Sequence, residues 1–64
     1  MAEADREVFF EFTVIGSTVR VTAIDSLTGT EVVVMGPSNA SRADLQQLAV
    51  QKLKARLARE AGKR

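Results

Sequence analysis

The sequence has no cysteine, histidine, tryptophan or tyrosine, and a single proline. Without cysteine there is neither a disulfide nor a thiolate metal site. Without histidine the chain lacks the commonest transition-metal ligand and the commonest general base near neutral pH. No apolar run approaches the ~18 residues a membrane span requires. The opening M-A-E-A-D-R-E is acidic, whereas a secretory signal opens basic and then turns apolar. The chain therefore reads as cytoplasmic, and the sequon Asn39-Ala40-Ser41 reads as chance. Its 64 residues make one domain. A chain of that size buries only ~60% of the surface it exposes when unfolded. With disulfides excluded and metals nearly so, stability has to come from close packing or from oligomerisation.

Residues 1–6 show no periodicity and read as a disordered tail, 7–60 as the domain, and 61–64 as a basic tail. From Glu7 the pattern alternates, with Val8, Phe10, Phe12 and Val14 on one side, as in a half-buried strand. Gly16-Ser17 suits a type II′ hairpin turn, because glycine supplies the positive φ at the first central position. Pairing Ile15 with Thr18 sets Val14 against Val19, Phe12 against Val21 and Phe10 against Ala23. A one-residue slip would lose all of these matches. The second strand, T-V-R-V-T-A-I-D, leads through S-L-T-G to a third, T-E-V-V-V-M-G. Pairing Asp25 with Thr30 places Val32 and Val34 on the core side; a three-residue loop would place Val33 and Met35 there instead.

Gly36-Pro37 ends the sheet, since proline cannot donate to a ladder. Ser41, with Asp44 three residues on, forms a capping-box variant. The helix that follows runs to about Glu60, with Gly62 as its stop, and carries a stripe of Leu45, Leu48, Ala49, Leu53 and Leu57. The expected fold is α+β: a three-stranded antiparallel β-meander with one C-terminal α-helix packed on one face. Its core is expected to hold Phe10, Phe12, Val14, Val19, Val21, Ala23, Leu45, Ala49, Leu53 and Leu57. On that assignment Phe12→Ala costs ~3–5 kcal/mol.

Asp25-Ser26-Leu27-Thr28-Gly29-Thr30 resembles the phosphorylated D-K-T-G-T motif of ion pumps, but one residue too many separates Asp from Thr. The Mg²⁺ site, further carboxylates and lysine that phosphoryl transfer needs have no place in so small a chain. A hairpin loop accounts for Asp25, Thr28 and Gly29 together. The connector Gly36–Ser41 precedes a helix N-terminus but lacks a P-loop lysine. Glu11 and Glu31 lie on different strands at the solvent face, where solubility explains them. No catalytic, cofactor-binding or metal-ligating residue emerges, no small-molecule substrate is evident, and the chain reads as a non-enzyme.

Two features stand out. A single helix covers one side of the sheet, so the other side exposes Phe9, Glu11, Thr13, Ile15, Arg20, Thr22 and Ile24, with Val33 and Met35 when Asp25 pairs with Thr30. A contiguous apolar patch on so small a chain marks a partner surface. Phe9, Thr13, Ile15, Arg20, Thr22 and Ile24 are the candidate interface, for a homodimer or another protein. The second feature is charge polarity. Seven of nine basic residues lie from Arg42 onward, and six of eight acids lie at or before Glu31. Cations near a helix C-terminus complement its dipole. The same density also fits phosphate, which makes Lys52, Lys54, Arg56 and Arg59 the candidate contacts of an alternative nucleic-acid-binding role. That alternative lacks the aromatic residues that stack on bases.

The run F-x-x-I-G-x-x-V-x-V-x-A-I-D-x-x-T-G-T-E-V-x-x-x-G-P, followed by an Ala/Leu/Lys-rich helix, resembles a small, mainly alphaproteobacterial family known only as a domain of unknown function. The likeness covers Phe12 to Leu57 and rests on turn and core residues. It implies the same fold and a bacterial cytoplasmic setting, and it carries over no site residue.

Overall fold

The computed structural model describes residues 6–62. Three strands, β1 (Val8–Ile15), β2 (Thr18–Asp25) and β3 (Glu31–Pro37), form an antiparallel sheet in the order β1-β2-β3, followed by helix α1 (Arg42–Gly62). Of the tails expected at residues 1–6 and 61–64, residues 1–5 and 63–64 lie outside the described residues, while Arg6 pairs with Asp25 and Ala61 and Gly62 belong to α1.

The β1–β2 register is the one the alternation predicts: Ile15 pairs with Thr18, Phe12 with Val21 and Phe9 with Ile24. Gly16 has φ +60°, and among the described residues only glycines take a positive φ, so Ser17 completes a type II′ turn. Of the two registers open to β3, the structure adopts the one with Val21 opposite Val34 and Ala23 opposite Val32. The loop that fixes it closes through Asp25 N–H to the Thr30 carbonyl (2.9 Å) and Gly29 N–H to the Asp25 carbonyl (2.8 Å), with Gly29 at φ +74°.

Ser41 caps α1. Its Oγ accepts from Asp44 N–H at 3.3 Å and its carbonyl accepts from Leu45 N–H at 3.1 Å. Ala40, just before the cap, packs on the cluster that includes Leu45, in the positions of a hydrophobic staple. The core is Val19, Val21, Ala23, Val32, Leu45, Ala49 and Leu53, each at most 5% exposed.

The helix lies over β3 and β2 and barely reaches β1. This offset corrects part of the expected core. Val14 is 56% exposed, because α1 packs chiefly on β3 and β2. Phe10, Phe12 and Leu57 flank the core half-buried. The guanidinium of Arg42, the first residue of α1, sits 5.0 Å from the Phe12 ring centre and gives that ring a cation–π lid. Leu48 departs from the expected stripe as well: it is 53% exposed, while Leu45, Ala49 and Leu53 turn inward.

At Gly36 the offset brings the helix onto the backbone of β3. A Cβ there would stand 2.7 Å from Leu45 Cδ2. Gly36→Ala would force the buried Leu45 side chain out of its rotamer or push the first helical turn off the sheet. A loss of ~1–2 kcal/mol is expected from such overpacking. Urea denaturation checks this, and a variant as stable as the parent would show that Leu45 repacks freely.

Candidate functional site

On the side of the sheet away from α1, the registers arrange side chains in rows across the strands. Phe9, Ile24 and Glu31 form the first row, Glu11, Thr22 and Val33 the second, Thr13, Arg20 and Met35 the third, and Ile15, Thr18 and Pro37 the last. Phe9 is 53% exposed, Ile15 56% and Met35 61%, with Ile24 and Val33 half-buried between them. An apolar band thus runs from Phe9 through Ile24 and Val33 to Met35 and Pro37. Ile15 stands at the far corner, and Glu11, Thr13, Arg20 and Thr22 fill the middle. All six candidate interface residues fall on this one surface, as the two-residue period requires. Glu11 and Arg20 are diagonal neighbours, and neither forms an ion pair among the described residues. Both charges are therefore available to an external group.

The candidate phosphate contacts are distributed differently. Lys52 Nζ donates to the Val33 carbonyl at 2.8 Å, and Arg56 Nε donates to Glu60 Oε2 at 2.8 Å. Helical spacing sets Lys52, Arg56 and Arg59 along one side of α1 and turns Lys54 to the opposite side. Two of the four cations already have protein acceptors.

Asp25 is a loop residue, as expected, but its surroundings go further than a turn requires. Its side chain is fully buried. Oδ2 accepts from the Thr28 hydroxyl (2.8 Å) and the Thr28 amide (3.0 Å). Oδ1 faces Arg6 Nε at 2.9 Å as an ion pair, without the alignment of a hydrogen bond. Burial pushes the carboxyl pKa up and is the strongest single influence. The Thr28 hydroxyl, the Thr28 amide, the Arg6 charge and the Leu27 amide together outweigh it, and the pKa lies below its ordinary value. Asp25 is thus held ionised, as a structural anion. Around it, Ser26 N–H donates to the Glu7 carbonyl and Glu7 N–H to Ser26 Oγ, both at 2.9 Å. The loop also reaches α1, where Thr30 Oγ1 donates to Glu60 Oε1 at 3.4 Å. Sequence reasoning missed Arg6 because it lies in an aperiodic stretch 19 residues from its partner, and no local pattern announces such a pair.

Beside this node, Arg6, Thr28, Leu57, Ala58, Glu60 and Ala61 line an open cleft of about 490 Å³. Its cation and its anion are already paired, with Asp25 and Arg56 respectively. Among the described residues no group of three or more His, Cys, Asp or Glu side chains converges to hold a metal ion. No helix among them is long and apolar enough to cross a membrane.

No curated protein and no solved structure matches the chain. A family model does match residues 5–60, which is nearly the whole chain and includes every strand and all but the end of α1. The chain therefore belongs to the family described as Domain of unknown function (DUF6898).

Proposed function

We propose that this protein is a non-catalytic interaction module of the bacterial cytoplasm that self-associates or docks on a protein partner through the open face of its sheet. The observation that carries this reading is the exposure of Phe9, Ile15 and Met35, each more than half accessible on one surface that α1 leaves bare. Apolar surface gathered on one side of so small a domain favours association, because burying it removes water from all of it at once. The free Glu11 and Arg20 at its centre supply orientation, since charges across an interface choose partners more than they add affinity. The nucleic-acid reading has less support, because Lys52 and Arg56 are engaged within the chain.

Sedimentation equilibrium over a range of concentrations tests the self-association form. Phe9→Lys with Met35→Lys is expected to weaken association through this face by tenfold or more, about 1.4 kcal/mol or above. The stability of the isolated domain should change by less than ~0.5 kcal/mol per site, as for surface positions generally. A wild-type chain that stays strictly monomeric would eliminate self-association and leave docking on another protein as the surviving form. An enzymatic activity retained by the purified chain would overturn the reading as a whole.

A further inference from the structure

The two edges of the sheet are not equivalent. Ile15 and Thr18 bracket the two-residue turn and form a hydrogen-bonded pair, so alternation along the ladder turns Phe9, Glu11 and Thr13 toward β2. The bond from Ser26 N–H to the Glu7 carbonyl continues the same alternation. It follows that Val8, Phe10, Phe12 and Val14 direct their N–H and C=O groups outward along the free edge of β1. At the other edge, Thr30 bonds inward to Asp25, so Glu31, Val33 and Met35 point outward from β3. There the Val33 carbonyl is occupied by Lys52 Nζ, and Pro37 closes the strand. Lysine and proline are the usual means by which proteins keep an edge strand from pairing. β1 has neither: V-F-F-E-F-T-V-I is long, apolar and β-prone, and its helix-side residues Phe12 and Val14 stand partly or largely uncovered.

We infer that the free edge of β1 pairs antiparallel with β1 of a second copy of this chain, joining two sheets into one of six strands. The strand is self-complementary in one register. A two-fold axis through Phe12, perpendicular to the sheet, sets Phe12 against Phe12 of the second copy and Phe10 against its Val14, with their outward backbone groups exchanging hydrogen bonds. On the open side the same register sets Phe9 against Ile15 and Glu11 against Thr13, so no like charges oppose each other. Sliding the strands by two residues one way brings Glu11 against Glu11, which repels. Sliding them the other way sets Phe10 against Gly16 and leaves Phe9 without an apolar partner. This pairing uses the strand edge rather than the open face, so it does not depend on the reading above. Its consequence for that reading is that the two open faces become one continuous surface.

The test compares the wild-type chain, Val14→Pro, and Met35→Lys, an open-face variant on β3 that leaves every residue of β1 in place. Val14 N–H points outward, so proline there leaves the β1–β2 ladder intact and removes a donor only from the free edge. The expected result is a wild-type dimer, at least ~10-fold weaker association for Val14→Pro, and an open-face variant that still dimerises. Amide hydrogen exchange gives an independent readout in the wild type. Phe10, Phe12 and Val14 amides should gain ~10-fold or more protection as concentration rises, while the already bonded Phe9, Glu11 and Thr13 amides gain far less. That readout needs no substitution, so a misfolded variant cannot obscure it. A dimer that dissociates only in the open-face variant, with no concentration-dependent protection on β1, would overturn the edge proposal and retain the open-face reading. A strict monomer would overturn the edge proposal as well.

Discussion

Leu53→Ala is expected to leave a large fraction of the chain unfolded at 37 °C. Leu53 is 1% exposed and is the largest fully buried side chain among the described residues, in the cluster that joins helix to sheet. Truncating a buried leucine removes its transfer free energy and leaves a cavity that its neighbours refill only in part, for ~3–5 kcal/mol. A domain of this length has a total stability of only roughly 3–10 kcal/mol. Phe12→Ala, which the sequence alone ranks as equally severe, is expected to cost less, ~2–3 kcal/mol, because Phe12 is only partly buried and part of its transfer term is never gained. Urea denaturation of both variants checks the order. Equal losses would mean that β1 is covered as fully as β2, contrary to the observed offset of the helix.

The second large effect is expected at Asp25. Its folded-state pKa is depressed, so the unfolded chain binds a proton more readily than the folded one. The stabilisation is complete well above the ordinary aspartate value of ~3.9 and is lost as the pH falls through the lower folded value. Asp25→Asn should therefore unfold at markedly lower urea concentration than the parent at pH 7. The gap between the two should narrow steadily below about pH 4. Arg6→Gln should move stability in the same direction by less, since the Arg6 side chain is 40% exposed and solvent screens its charge. Denaturation midpoints between pH 7 and pH 3 decide the matter. A gap between parent and Asp25→Asn that does not change with pH would show that the carboxylate acts only as a hydrogen-bond acceptor, with no contribution from its charge.

The fold was legible wherever local rules are strict. Period-two alternation in β1 and β2, the glycine at the first turn position, and serine ahead of a leucine-rich helix each have few physical solutions, and the structure realises them. The open face was legible for the same reason: once Phe10 and Phe12 turn toward the helix, Phe9, Thr13 and Ile15 must turn away. What escaped was lateral placement. Nothing in the spacing of Leu45, Leu48 and Leu53 tells which strands the helix will cover, and a shift toward β3 strips Val14 and Leu48 while sealing Val32. Glycine 36 contributes to that shift, since only a residue without Cβ lets Leu45 settle so near β3. The Arg6–Asp25 pair and the Lys52–Val33 bond also escaped, because each joins groups far apart in sequence through long, adaptable side chains.

The clasp formed by Arg6, Glu7 and Asp25 also sets where the start of the described chain lies. Arg6 and Ala61 border the same cleft, whereas the Gly16-Ser17 tip and the start of α1 lie at the opposite pole of a body 40 Å long. Arg6 and Ala61, near the two ends of the described chain, therefore share one pole, and a force drawn between them would load that pole alone.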